Sequence, residues 1–257
     1  MRPVARIYLF SELVKRDVLL RYRGAMFGML WVLINPLIML AILALVFGHI
    51  FQSRWPQQQS GAPFWIVLYS GLIAFNIFAD TVARAPTAVR SYPNFVKKII
   101  FPVGILPLVP LGSALVHATF NFAILLIALA ITGHLHVAAL LYPLVLVPLL
   151  LGALGVTWFV AAWGVFIKDM SQIIPPFVQM LMFVSPVLYP ASVAPAALQP
   201  LYRYNPLGIV VESCRSAALG LPVDWRSWGA SLFCGAAVAA SGWWFFRHAR
   251  EEFADAL

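Results

Sequence analysis

The sequence predicts an all-α integral membrane protein: six transmembrane helices, an N-terminal interfacial amphipathic helix and short outer re-entrant helices. Three observations predict it. The chain is 62% hydrophobic and only 10% charged, whereas soluble domains run about 45–50% apolar and about 25% charged. Apolar runs near the roughly 20 residues needed to cross a bilayer recur from one end to the other. Basic residues fall into clusters that alternate with those runs. The whole of 1–257 therefore reads as a single transmembrane domain.

The first 24 residues are charged, and no cleavable leader with an uninterrupted apolar core is expected there, so the first span should act as its own insertion signal. Ile7, Phe10, Val14, Val18 and Tyr22 recur at helical spacing. Ser11, Glu12, Lys15 and Arg16 fall largely off that stripe. Residues 1–24 thus predict a helix lying in the membrane interface with its apolar side toward lipid tails.

Six spans are expected, at residues 26–51, 62–83, 104–132, 137–167, 171–190 and 228–246. The fifth is interrupted by Pro175, Pro176, Pro186 and Pro190. Orientation follows from the basic residues. With the N-terminus inside, the cytoplasmic segments hold Arg2, Arg6, Lys15, Arg16, Arg21 and Arg23, then Arg84, Arg90, Lys97 and Lys98, then Lys168, then Arg247 and Arg250. Only Arg54, Arg203, Arg215 and Arg226 remain outside, so both termini are expected in the cytoplasm.

Two connections carry more than a turn. Residues 84–102 form a basic inner loop able to hold a short helix. Residues 191–227 form a long, still apolar outer segment, whose stretch LQPLYRYNPLGIVVESCRSAALG is too short and too interrupted to cross. It predicts a helical hairpin dipping into the membrane, with Asn205 as N-cap, Pro206 at the first helical position and Gly220 as the stop. Non-helical backbone at that depth must be buried in protein or line a watery cavity. Within the hairpin, Glu212 and Arg215 have the i,i+3 spacing of a local ion pair.

Absences narrow the function. The chain has no Gly-Lys dipeptide and hence no phosphate-binding loop, so ATP hydrolysis would fall to another chain. Of the acidic residues only Asp80 and Glu212 fall near the membrane, which disfavours a proton- or sodium-driven carrier. His49 and His117 lack carboxylate neighbours in sequence, and His134 with His136 is a weak metal pattern. Cys214 and Cys234 fit neither a disulfide framework nor a metal site and read as small packing residues. No catalytic group, cofactor or metal is expected. The net charge of +8 suits anionic lipid or an acidic partner surface rather than nucleic acid.

Residues 13–40, LVKRDVLLRYRGAMFGMLWVLINPLIML, resemble the N-terminal signature of ABC type 2 exporter permeases, in the branch that exports bacterial surface polysaccharides. The matching positions are Arg16, Asp17, Arg21, Tyr22, Arg23, Gly24, Gly28, Trp31 and Pro36, with Ala25 and Phe27 replacing a small hydroxyl and an aliphatic residue. YRYNPLGIVVESCRSAALG (202–220) is similar to the family's segment before the last span, and Asn94, Phe95, Val96, Lys97, Lys98, Phe101 and Pro102 follow its inner loop. The resemblance implies a homodimer with two copies of a separate ABC ATPase subunit, moving a lipid-linked glycan such as O-antigen out of the cytoplasm across a bacterial inner membrane. Capsule, teichoic-acid and small-molecule or drug export are the alternatives. Capsule permeases tend to carry Glu where this chain has Asn35.

On that footing Arg16, Arg21 and Arg23 are expected to meet the phosphates of the lipid carrier, since guanidinium forks suit phosphate; the bland alternative is that they only obey the inside rule. Arg90, Asn94, Lys97 and Lys98 are expected to face the ATPase as a coupling element. Phe27, Trp31, Tyr189, Tyr202 and Tyr204 are candidates for weak stacking along a sugar channel, or else members of an interfacial aromatic belt.

Overall fold

The computed structural model describes residues 3–50, 61–96, 101–189 and 199–253. Every regular element among them is helical. α1 spans Pro3–Arg21 and ends in a turn where Gly24 and Gly28 take positive φ (83° and 47°). Glycine is the residue that adopts that backbone without strain, so the chain reverses there into α2, Trp31–Leu43. A 3-10 turn, Gly28–Leu30, leads into α2, and a π-helical stretch, Ala44–Ile50, prolongs it. α3 runs Phe64–Arg84, the short α4 Pro93–Val96, and α5 Leu108–Ile131. α6 (Tyr142–Val145) and α7 (Val147–Phe166) follow, then α8 (Met170–Val184), α9 (Gln199–Tyr204), α10 (Pro206–Ala218) and α11 (Trp225–Ala249).

Five helical runs among the described residues are long and apolar enough to cross a membrane: Gly28–His49, Phe64–Thr87, Val103–Ile131, Val137–Phe166 and Trp225–Glu252. The expected fifth span, 171–190, is represented by α8, which has 15 residues. That is about 22 Å of helix at 1.5 Å per residue, against a hydrocarbon core of about 30 Å. Pro175 and Pro176 lie inside α8, where each removes a backbone donor. The last span starts earlier than its apolar pattern suggests. Asp224 caps it, its carboxylate accepting from the Arg226 and Ser227 amides (3.1 and 3.2 Å) and from the Ser227 hydroxyl (2.6 Å). The Ser227 hydroxyl and amide hold that carboxyl below its ordinary pKa.

α3 is the axis of the bundle. In its most apolar window 72% of residues are buried, against 17% for the run containing α2. The helices around α3 grip its backbone and its tyrosine: the Tyr142 hydroxyl donates to the Ser70 carbonyl (2.6 Å) and the Tyr69 hydroxyl to Asn121 Oδ1 (3.0 Å). One core cluster surrounds α3 together with α5, α6 and α10 and includes Cys214. A second, toward the end of the molecule that holds α1 and the C-terminal end of α11, joins Leu13, Val14 and Val18 to Leu106, Val109, Ala161 and Phe246. Cys234, by contrast, lies on the exposed side of α11.

α1 buries the middle of its apolar stripe. Val14 and Val18 are buried, Phe10 is half-buried and Ile7 is exposed. A Cβ on Gly112 of α5 would come within 2.5 Å of Val14 and 2.9 Å of Phe10. The middle of the stripe, Phe10 and Val14, therefore packs against protein over Gly112 of α5, while Ile7 at its start stays exposed.

α7 and α11 approach backbone to backbone. A Cβ on Gly155 would lie 2.2 Å from the Val238 carbonyl, and one on Gly242 would lie 2.2 Å from the Gly155 carbonyl. Small residues at such crossings let helix backbones meet in a membrane. Gly155→Val should therefore force the pair apart, at a cost of about 1–3 kcal/mol or more. The expected outcome is loss of the monodisperse folded peak in detergent size exclusion. Gly229→Ala, where a Cβ meets nothing within 4 Å, should leave that peak unchanged.

Candidate functional site

Three features recruit the polar residues that an otherwise apolar chain retains. The first is an ion cluster at the C-terminal end of α3. Asp80 and Arg84 lie one turn apart on α3, so their side chains leave the same face. Arg21, the last residue of α1, pairs with Asp80. Arg84 reaches across to Asp17 of α1 at 2.5 Å and lies 3.8 Å from Asp80. The Ser113 hydroxyl of α5 donates to the same Asp17 oxygen at 2.5 Å. Two carboxylates and two guanidiniums thus join α1, α3 and α5. Of the three arginines expected to meet a carrier phosphate, Arg21 is already engaged by a carboxylate within the chain.

Arg16 and Arg23 are placed differently. Both are exposed, and both line a recess of about 570 Å³ together with Lys15, Glu12 and Tyr22. Seven residues apart, they come to the same side at the end of α1, and the turn at Gly24 brings Gly28 and Met29 round to the same recess. Phe27 and Trp31 stand just beyond it, their rings edge to face at 6.0 Å.

The second feature is a cavity of about 500 Å³ between α2, α3, α5 and α8. Arg21 and Asp80 line it, as do the amides Asn35, Asn76, Asn121 and Gln179, the Tyr69 phenol and the His117 imidazole. His117 Nδ1 lies 3.4 Å from the Tyr22 hydroxyl. The apolar spacing arguments passed over Asn76, Asn121 and Gln179. Their signal was available, since an amide isolated in an apolar helix faces protein or water rather than lipid.

The third feature is at the opposite end of α3. Arg215 of α10 is buried, and its guanidinium donates to the Val67 carbonyl (3.3 Å), the Pro186 carbonyl (2.8 Å) and the Val187 carbonyl. Its fourth partner is Glu212, 3.0 Å away. A guanidinium carries five N–H donors in a rigid fork, so it serves carbonyls from two segments and a carboxylate at once. Asn205 caps α10, its Oδ1 accepting from the Leu207 amide at 3.1 Å and its Nδ2 donating to Ser185 Oγ at 2.9 Å. Pro206 opens that helix, and Gly220, at φ 71°, lies just beyond its end. Arg215 and Asn205 together hold α10 against the segment that follows α8.

The remaining expected residues scatter. Tyr189 and Tyr202 share a hydroxyl contact of 2.7 Å and Tyr202 is buried, whereas Tyr204 is exposed. In the loop 84–102, Arg90 is half-buried and Asn94 is exposed on α4. Lys97 and Lys98 lie outside the described residues.

Two measurements check these assignments. A double-mutant cycle of Arg21→Gln with Asp80→Asn, read by reversible unfolding in mixed micelles, should give a coupling of about 1 kcal/mol; strictly additive effects would mean the pair ties nothing. Arg215→Met should cost about 1–3 kcal/mol for each carbonyl that loses its donor, while Glu212→Gln, at a half-exposed partner, should cost about 1 kcal/mol or less.

The sequence is similar to known proteins over most of its length. The family model described as "ABC-2 type transporter" matches residues 8–219. The chain is 26% identical to "O-antigen export system permease protein RfbA" of Myxococcus xanthus, with 100% of each chain covered. It is 22% identical to a protein of the same description from Klebsiella pneumoniae, covering 97% of this chain and 96% of that one. It is 24% identical to "Polysialic acid transport protein KpsM" of Escherichia coli, covering 81% of this chain and 80% of that one. With five helices fit to cross a membrane and a family match over most of its length, the chain belongs to the ABC-2 type transporter family.

Proposed function

We propose that the chain is the transmembrane permease subunit of an ATP-driven exporter of a lipid-linked surface polysaccharide of the O-antigen kind. The observation that carries this reading is full-length similarity to two proteins described as O-antigen export permeases, joined to an arginine-lined recess where a phosphate would dock. In this reading the permease works as a homodimer in a bacterial inner membrane, with both termini in the cytoplasm. α8 and the segment after it complete a sixth crossing, and α9 and α10 form an outer re-entrant hairpin.

A lipid-linked glycan presents two chemistries, a phosphate-bearing carrier and a polyhydroxylated polymer. Arg16 and Arg23, beside Lys15, supply forked and single donors for the phosphates at the bilayer surface. Arg21 acts differently from its neighbours: engaged by Asp80, it positions α1 rather than binding the carrier. Phe27 and Trp31 offer ring faces next to the recess, suited to weak, repeated contacts with sugars.

ATP hydrolysis belongs to a separate partner chain in two copies. Its contact is the basic loop 84–102, through Arg90, Asn94, Lys97 and Lys98. The Asp17–Arg84 bond joins the start of that loop to α1, so a push on the loop reaches the carrier recess through a short polar linkage.

Deleting the gene should remove surface glycan and leave lipid-linked polymer inside the cell, with the wild-type gene restoring the surface. Arg16→Glu with Arg23→Glu should fail to restore it, lowering surface glycan at least about tenfold at equal membrane abundance. Full restoration by that pair would remove the carrier role from the recess. A deletion that left surface glycan untouched would remove the export reading itself.

A further inference from the structure

The cavity between α2, α3, α5 and α8 has a chemistry of its own. Asn35, Asn76 and Gln179 are exposed although each sits within an apolar helix, and all three line the same space of about 500 Å³. Asn121 joins them from α5, holding the Tyr69 hydroxyl on its Oδ1 (3.0 Å) and donating its Nδ2 to the His117 carbonyl (2.8 Å). Polar side chains within spans face the bundle interior or a watery cavity, and these converge on one. Of its lining residues only Arg21 and Asp80 carry a full charge at neutral pH, and they pair with each other. The wall is therefore polar but without an uncompensated guanidinium or ammonium.

A carboxamide offers two donors and one acceptor. A sugar hydroxyl, itself donor and acceptor, finds both complements in it. A carboxylate or sulfate on the sugar would ask for a cation, because charge-assisted bonds are what offset its lost hydration. Resting on the export reading above, we infer that this cavity selects an uncharged, polyhydroxylated glycan over an acidic one. The selecting residues are Asn35, Asn76, Asn121 and Gln179. Each contact is exchangeable for water at little cost, so a neutral chain slides along it. An anionic repeat unit meets no partner there and is held back.

The test uses the permease with its partner ATPase in cells that build polymer on one polyprenyl carrier, either a neutral hexose repeat or a uronate-bearing repeat of similar length. Surface arrival of each polymer is followed by immunolabelling. The neutral polymer should arrive at least about tenfold faster. The near-isosteric pair Asn76→Asp with Gln179→Glu should widen that ratio, and Asn76→Lys with Gln179→Lys should narrow it. Acidic polymer arriving as fast as neutral overturns the selection while leaving export intact. Arrival of neither polymer removes the export reading, and the selection falls with it. A wild-type preference that none of the accumulating variants alters overturns the assignment to this cavity.

Discussion

The bond between Asp17 and Arg84 is the constraint on which the terminal half of the molecule turns. It holds α1 against α3, at 2.5 Å, with Ser113 of α5 donating to the same carboxylate oxygen. Once α1 is fixed there, its apolar stripe has no choice of partner. Phe10 and Val14 enter the groove over Gly112, and Arg21 arrives at Asp80. Four charges gathered in pairs can sit beside an apolar bundle, where any one alone would be costly to desolvate. The cluster also explains why a basic stretch leaves the amide-lined cavity electrically balanced.

At the other end of α3 the same task is done by one side chain. Arg215 binds backbone carbonyls contributed by α3 and by the segment after α8. Backbone acceptors that the prolines and helix ends of that region leave open must find donors when water is scarce. A buried guanidinium is the cheapest way to serve several from one point. α3 is thereby clamped at one end by paired ions and at the other by carbonyl bonds, and the spans around it are arranged relative to a fixed rod.

Much of this was legible in the sequence where the signal is local. Asn205, Pro206 and Gly220 mark the ends of α10 because caps and stops act over two or three residues. The stripe on α1 was equally visible. What periodicity could not give was the stripe's partner: a face is encoded in one helix, but its neighbour is chosen by the small residues of another. Arg21 and Asp80 lie 59 residues apart, and nothing near either names the other. The same limit hid the Asn35, Asn76 and Gln179 convergence, which needs three helices in place before it exists. At α8 the apolar run continues past Val184 but the helix does not, since Ser185 takes an extended backbone.

The distribution of tight and loose packing bears on how such a molecule could move a polymer. α7 and α11 meet at glycine backbones and have no room to slide. α2 is the opposite case: 17% of the best apolar window in its run is buried, Pro36 lies inside it, a glycine turn precedes it and a π-helical stretch follows. Interruptions of that kind are where helices bend at low cost. α8 shares the pattern through Pro175 and Pro176, with Ile173, Phe177 and Met180 exposed along it. These two loosely held helices are among those walling the amide-lined cavity. The wall of that cavity is thereby its most deformable part. A polymer whose repeats vary in width needs a wall that yields, and a fixed rod behind the wall for it to yield against.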